Sequence, residues 1–163
     1  MAAAEALGGR DRLLAVKSLT IEGYASNPNI GQAMTPEADP LLWMIPDYRR
    51  SLDLVSGRMA VEFTRRPAFP AVFDNFRQNQ RLDGDVAFNV GGGIGPPPAN
   101  APAFPPRLSA AIARERRLDS LMHPLTAVRA ALDPRARLAR LKTTGTGRSV
   151  EVTTATGDVF TLA

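Results

Sequence analysis

The apolar positions of this chain change their period several times. Ala3, Ala6, Leu7, Leu13, Leu14 and Val16 make a helical stripe over residues 3–16, broken at Gly8-Gly9, with Asp11 placed to cap a second turn. From Lys17 the period becomes two, with Leu19 and Ile21 on one side and Thr20, Glu22 and Tyr24 on the other, which predicts a half-buried strand. Residues 26–40 carry Asn27-Pro28-Asn29, Gly31, Pro36 and Pro40 and read as a loop. A hairpin follows. Tyr48, Arg50, Leu52 and Leu54 share one face of a strand over residues 43–55, and Met59, Val61 and Phe63 alternate on its partner, with Ser56-Gly57 at the turn. Pro46 puts a bend or an edge position into the first of these strands.

Residues 66–80 are less regular, with Phe69, Phe73 and Phe76 among prolines. Asp83-Gly84-Asp85 then turns into a short strand over residues 86–90. Residues 91–106 are rich in glycine and proline and predict a mobile surface loop. Beyond it, Leu108, Ile112, Leu118, Leu121, Leu125, Val128 and Leu132 recur at helical spacing, with Arg114, Arg116, Arg117 and Arg129 mostly off the stripe. Pro124 divides this segment into helices over about residues 107–121 and 124–132, and Asp133-Pro134 ends the second. Strands over about 137–144, 149–154 and 158–162 close the chain, with Thr156-Gly157 at a hairpin turn. The last of them keeps strand character to the end, as in a sheet cut before its next strand, so the expectation is one domain over residues 1–163 truncated at that end of the sheet.

A hydrophobic fraction of 44% with 22% charged residues suits a globular domain with a real core. No apolar run is long enough to span a membrane as a helix, and no signal peptide precedes Glu5. The net charge is +4 and the basic residues are almost all arginine, but acids such as Asp11, Glu62, Glu115, Asp119 and Asp133 are interspersed, which argues against a nucleic-acid partner.

Candidate chemistry is sparse. With one histidine, His123, and no cysteine, a zinc site has too few soft ligands, and a Ser-His or Cys-His nucleophile has one imidazole to draw on. His123 could act as a general base paired with Asp119, or cap the end of the helix before it. Asp83 and Asp85 flank a turn glycine and are too few for calcium, which needs about six oxygens. Gly91-Gly92-Gly93-Ile94-Gly95 is followed by Pro96, and no Gly-Lys-Ser/Thr appears, so no phosphate loop forms. Trp43, Phe63, Phe69, Phe73 and Phe88 are either core or the lining of an apolar pocket.

Three segments carry a resemblance. Glu5-Ala6-Leu7-Gly8-Gly9 with Leu13 and Ala15-Val16-Lys17-Ser18-Leu19, then Leu82-Asp83-Gly84-Asp85-Val86-Ala87, then His123-Pro124-Leu125-Thr126 with Ala130-Ala131-Leu132-Asp133 together resemble the N-terminal region of exported MBL-fold (metallo-β-lactamase-like) hydrolases. That region is similar to LolA-type lipoprotein carriers. The resemblance implies an α+β fold in which a curved antiparallel sheet, an open half-barrel, cups the helices at about 107–132 behind a short N-terminal helix. The zinc cluster His-x-His-x-Asp-His of the hydrolase module is absent here, so no catalytic or metal-ligating residue carries over and no cofactor is expected. The implied function is a non-catalytic accessory domain that packs on a C-terminal MBL-fold module or shields an apolar ligand. The alternatives are a stand-alone periplasmic carrier of a lipid or lipoprotein, and a hydrolase using His123. The apolar concave face would be lined by Trp43, Leu52, Phe63, Phe73, Phe88 and Leu121. A periplasmic or secreted setting is implied with the signal already trimmed, and a cytoplasmic one if the chain is complete.

Overall fold

The computed structural model describes residues 2–29, 33, 35–70, 75–91, 100, 105–145 and 147–163. They form an α+β chain with two antiparallel sheets, and the chain divides into two compact units, Ser18–Leu108 and Met1–Lys17 with Ser109–Ala163.

The unit Ser18–Leu108 is a five-stranded meander of β1 (Ser18–Asn29), β2 (Leu41–Asp53), β3 (Arg58–Pro67), β4 (Phe76–Asp83) and β5 (Val86–Asn89), in that order across the sheet. The two-residue period aligns side chains into rows. Leu19, Leu52, Met59, Leu82 and Ala87 are direct neighbours across all five strands, and Ile21, Arg50, Val61, Gln80 and Asn89 form the next row on the same face. Every buried apolar residue among the described residues of this unit, including Trp43 and Ile45, lies on that face. The opposite face carries Glu22 and Arg49, whose side chains pair at 3.2 Å, and the ion pair of Glu62 and Arg81.

Two expectations change here. Asn27-Pro28-Asn29 continues β1 rather than opening a loop, which an edge strand tolerates because one side of its backbone needs no partner. Residues 76–83 form a full strand rather than an irregular stretch. The half-buried positions of β4 at Gln78 and Gln80 are polar, so the alternation that marks a strand is weak. Pro46 falls inside β2, between two strand neighbours, where the register of both pairings slips by one residue. It marks a bend and not an edge. The 53–58 connection is a four-residue loop ordered by the Asp53 carboxylate, which accepts from the Val55 and Ser56 N–H groups at 2.9 and 3.1 Å. Gly84 takes φ +57°, the left-handed conformation that the tight β4–β5 turn demands. Most of the glycine- and proline-rich segment 91–106 lies outside the described residues.

The second unit holds all the helices found among the described residues: α1 (Ala2–Ala6), α2 (Arg10–Ala15), α3 (Ala110–Ser120) and α4 (Pro124–Leu132), with β6 (Arg137–Thr144), β7 (Gly147–Thr153) and β8 (Val159–Leu162) as a separate sheet. A single continuous sheet is thus replaced by two. Each pairing joins strands adjacent in sequence, and the helical stretch after Leu108 separates β5 from β6, so each sheet closes on its own hairpins. Leu13, Ala4 and Val128 form a core with Leu125, Leu132 and Leu162 around them. Arg129 ties α4 to α2 by donating to the Leu13 carbonyl. Asp11 does not cap α2; Gly9 holds that position, at φ +95°, with no side-chain cap. In α3 the buried residues are Ala113 and Arg116, so an arginine expected off the apolar stripe is inside. Its aliphatic stem suits that position, and burial pulls its guanidinium pKa below the usual range, an effect the nearby Glu115 opposes.

Candidate ligand-binding site

Of the six residues expected to line one apolar face, Trp43, Leu52 and Phe63 do share a face of the larger sheet. Trp43 packs edge-on against Phe69 with ring centroids 5.5 Å apart, and the Arg65 guanidinium lies over its ring at 5.3 Å. Arg65 also donates to the Asn27 side-chain oxygen at 2.8 Å. Phe63 meets Tyr48 at 5.9 Å, and Arg50 sits over the Tyr48 ring at 5.8 Å. From Arg50 and Tyr48, across the Pro46 bulge, to Trp43, this face therefore carries aromatic rings interleaved with guanidinium groups alongside its aliphatic residues. Trp43 and Leu52 are buried, at 9% and 4% exposure, and serve as core. Phe88 pairs with Arg81 and, one residue from the buried Ala87, lies on the opposite face. Phe73 lies outside the described residues, and Leu121 belongs to the other unit.

Leu121 lines an open cleft in that unit. It has a volume of about 700 Å³ and apolar walls from Leu118, Leu121, Pro124, Phe160 and Leu162, with Met122 exposed at its mouth. Glu115 and Asp119, one turn apart on α3, supply acidic groups to the lining. The local sequence builds this shape directly. The α3 helix ends at the Leu121 C-cap and α4 starts at Pro124, so the chain turns between them and presents Leu121 and Met122 beside the strand that carries Phe160 and Leu162.

His123 sits at that turn and has a structural task. Its Nδ1 accepts the Leu125 N–H at 3.2 Å, making it the N-cap of α4 rather than the cap of the preceding helix end. The residue before a proline is held in the extended region, here φ −87° and ψ 134°, which is the backbone an N-cap requires. Thr126 reinforces the turn, its hydroxyl donating to the carbonyls of Ser120 and His123 at 2.7 Å each. Among the described residues no group of three or more His, Cys, Asp or Glu is arranged to hold a metal ion. Asp83 of the acidic turn pair instead binds Arg58 at 3.1 Å.

The most buried carboxylate among the described residues is one the sequence does not single out. Asp158, its side chain 3% exposed, accepts from Arg117 Nε at 2.7 Å and from the Thr156 hydroxyl at 2.9 Å, with Arg114 at 3.6 Å. Its own N–H donates to Thr154 Oγ1 at 3.1 Å. Burial by itself would raise this carboxyl, but the bonds from Arg117 and Thr156 and the charges of Arg117 and Arg114 hold it below the usual carboxylate range. The cluster locks α3 to the β7–β8 hairpin and so fixes both walls of the cleft. The alternation Thr154, Thr156, Asp158 around Gly157 was the signal available in the sequence, and it reads equally as ordinary turn chemistry.

Compared with known proteins, the chain matches no family model, no curated protein and no solved structure.

Proposed function

We propose that this chain is a non-catalytic binding domain, of the accessory kind it resembles at the N-terminus of exported MBL-fold hydrolases, and that it receives an apolar group in the cleft between the α3–α4 turn and β8. The observation that carries this reading is the cleft itself. A volume of about 700 Å³ falls in the range of small-molecule and side-chain sites, and its walls are leucine, proline and phenylalanine with acids beside them. His123, the one imidazole, is engaged through Nδ1 in holding the helix that forms one wall. The half-barrel curvature and the periplasmic setting belong to the same proposal and rest on the resemblance. A carrier of an apolar ligand is the second reading, favoured by the cleft's openness to solvent at Met122, 80% exposed.

The test is a titration with the neutral apolar dye N-phenyl-1-naphthylamine. Saturable binding that is lost in Leu121→Arg and in Met122→Arg, with the circular dichroism of both variants unchanged, is the expected result. Dye binding that survives both substitutions, or no binding by the parent chain, removes the proposal.

A further inference from the structure

The basic residues of the chain are not spread evenly. Arg135, Arg137, Arg140, Lys142 and Arg148 follow one another between Asp133 and Glu151 with no acid among them, and with a net charge of +4 the rest of the chain is close to neutral. Most of this segment folds as β6 and the start of β7. Arg135 lies against Asp133 at 2.9 Å and Arg140 against Glu151 at 3.0 Å. Arg137, Lys142 and Arg148 make no ion pair among the described residues.

Two large apolar side chains stand among these cations. Every residue from Arg137 to Thr143 is exposed, including Leu138 at 58% and Leu141 at 71%. In a regular strand, residues three apart point to opposite faces. Here the pairings of Ala139 with Glu151 and of Lys142 with Ser149 leave Arg140 and Leu141 together across from Val150, a bulge that takes up one residue. Leu138 stands across from Val152, which shares a face with Val150, so the bulge brings both leucines across from valines of one face. Arg140 holds the bulge in left-handed backbone at φ +51°.

Exposed leucines between long basic side chains match an anionic bilayer surface. Guanidinium and ammonium groups meet lipid phosphates, and their flexible apolar stems let the leucines between them sink toward the acyl chains. A single-stranded nucleic acid is held by aromatic rings that stack on its bases, and residues 135–153 contain no aromatic residue. A second copy placed symmetrically on this strand would set each cation against cations.

We infer that β6, together with Arg148 of β7, docks the chain on an anionic lipid bilayer. Leu138 and Leu141 enter the headgroup layer, and Arg137, Lys142 and Arg148 contact the phosphates. This surface goes beyond the apolar cleft, whose lining includes none of these residues.

The test sediments the full chain with vesicles of phosphatidylcholine, with and without phosphatidylglycerol. Binding should require the anionic lipid and be largely released at about 1 M salt, where the screening length falls to about 3 Å. Arg137→Gln, Lys142→Gln and Arg148→Gln should each weaken it about fivefold, the usual worth of one cation at a charged membrane surface, with circular dichroism unchanged. The chain has no cysteine, so Leu141→Cys accepts a single polarity-sensitive label. Its emission should shift to the blue on anionic vesicles and be quenched by lipids brominated on their acyl chains. Absence of binding to anionic vesicles overturns the inference, as does binding that the triple glutamine variant retains or that leaves the label unshifted. Duplex DNA or polyglutamate bound more tightly than anionic vesicles, or a label shielded by rising protein concentration without lipid, assigns the surface to another partner and likewise overturns it.

Discussion

The Asp158 cluster makes the sharpest energetic prediction. Replacing Asp158 by asparagine keeps the volume and removes the charge, leaving Arg117 beside a neutral amide in a site where the arginine side chain is only 21% exposed. Breaking a buried ion pair by neutralising one partner costs about 3–5 kcal/mol. Arg117 retains some access to water here, and an amide oxygen still accepts one of its N–H groups, so the expected loss is about 2–3 kcal/mol. Chemical denaturation followed by circular dichroism at a helical wavelength measures it, because every helix among the described residues lies in the unit that contains Asp158. Arg117→Met should relieve part of the penalty, so the double variant should be about 1–2 kcal/mol more stable than the sum of the single effects.

The same variant carries a pH signature. The folded carboxyl titrates below its unfolded value of 3.8, so its contribution is fully present above that value and is lost as pH falls through the lower, folded pKa. The stability difference between parent and Asp158→Asn should thus be constant near neutrality and shrink in strong acid. Asp47, Asp53 and Asp133 are also held low, by their hydrogen bonds, but both proteins share them and the subtraction removes them. A difference below about 0.5 kcal/mol, the size of an ordinary surface change, would refute the reasoning. So would a difference that stays constant through the acid range.

Other outcomes follow from single contacts. His123→Ala should cost about 1 kcal/mol by removing the α4 cap, and His123→Asn should restore most of it because an amide oxygen replaces Nδ1, as read by thermal unfolding. Gly84→Ala should cost about 1–2 kcal/mol from the left-handed backbone alone, since no atom lies within 4 Å of the added methyl group, and Gly84→Asn should cost less. Arg65→Met should leave Trp43 packed on Phe69 but remove the cation from its face, lowering stability by about 0.5–1 kcal/mol and shifting the emission of the only tryptophan.

Legibility of the fold in the sequence tracked the strength of the local signal. The pairs of helices split by Gly8-Gly9 and by Pro124 match α1–α2 and α3–α4 to within a few residues, because proline and paired glycines act on the backbone itself. The hairpins of β2–β3 and β7–β8 were equally readable, each having apolar alternation on both arms and a glycine at the turn. Where alternation used arginine and glutamine as half-buried residues, as at Gln78 and Gln80, the strand was invisible. Arg116 fails for the same reason: charge is read as solvent exposure, whereas a long apolar stem lets a guanidinium sit inside. The separation into two sheets has no local signal at all, since each strand looks the same whichever sheet it joins.

The candidate site was legible only in fragments, and the fragments explain why. A list of aromatic residues treats every large ring as interchangeable, but the two-residue period of a strand sends Phe88 to the face opposite Leu52 and Ala87, a consequence of register rather than composition. Leu121, one apolar residue among the six expected on a single face, reaches an open cleft instead, because it ends a helix where the chain must turn before Pro124.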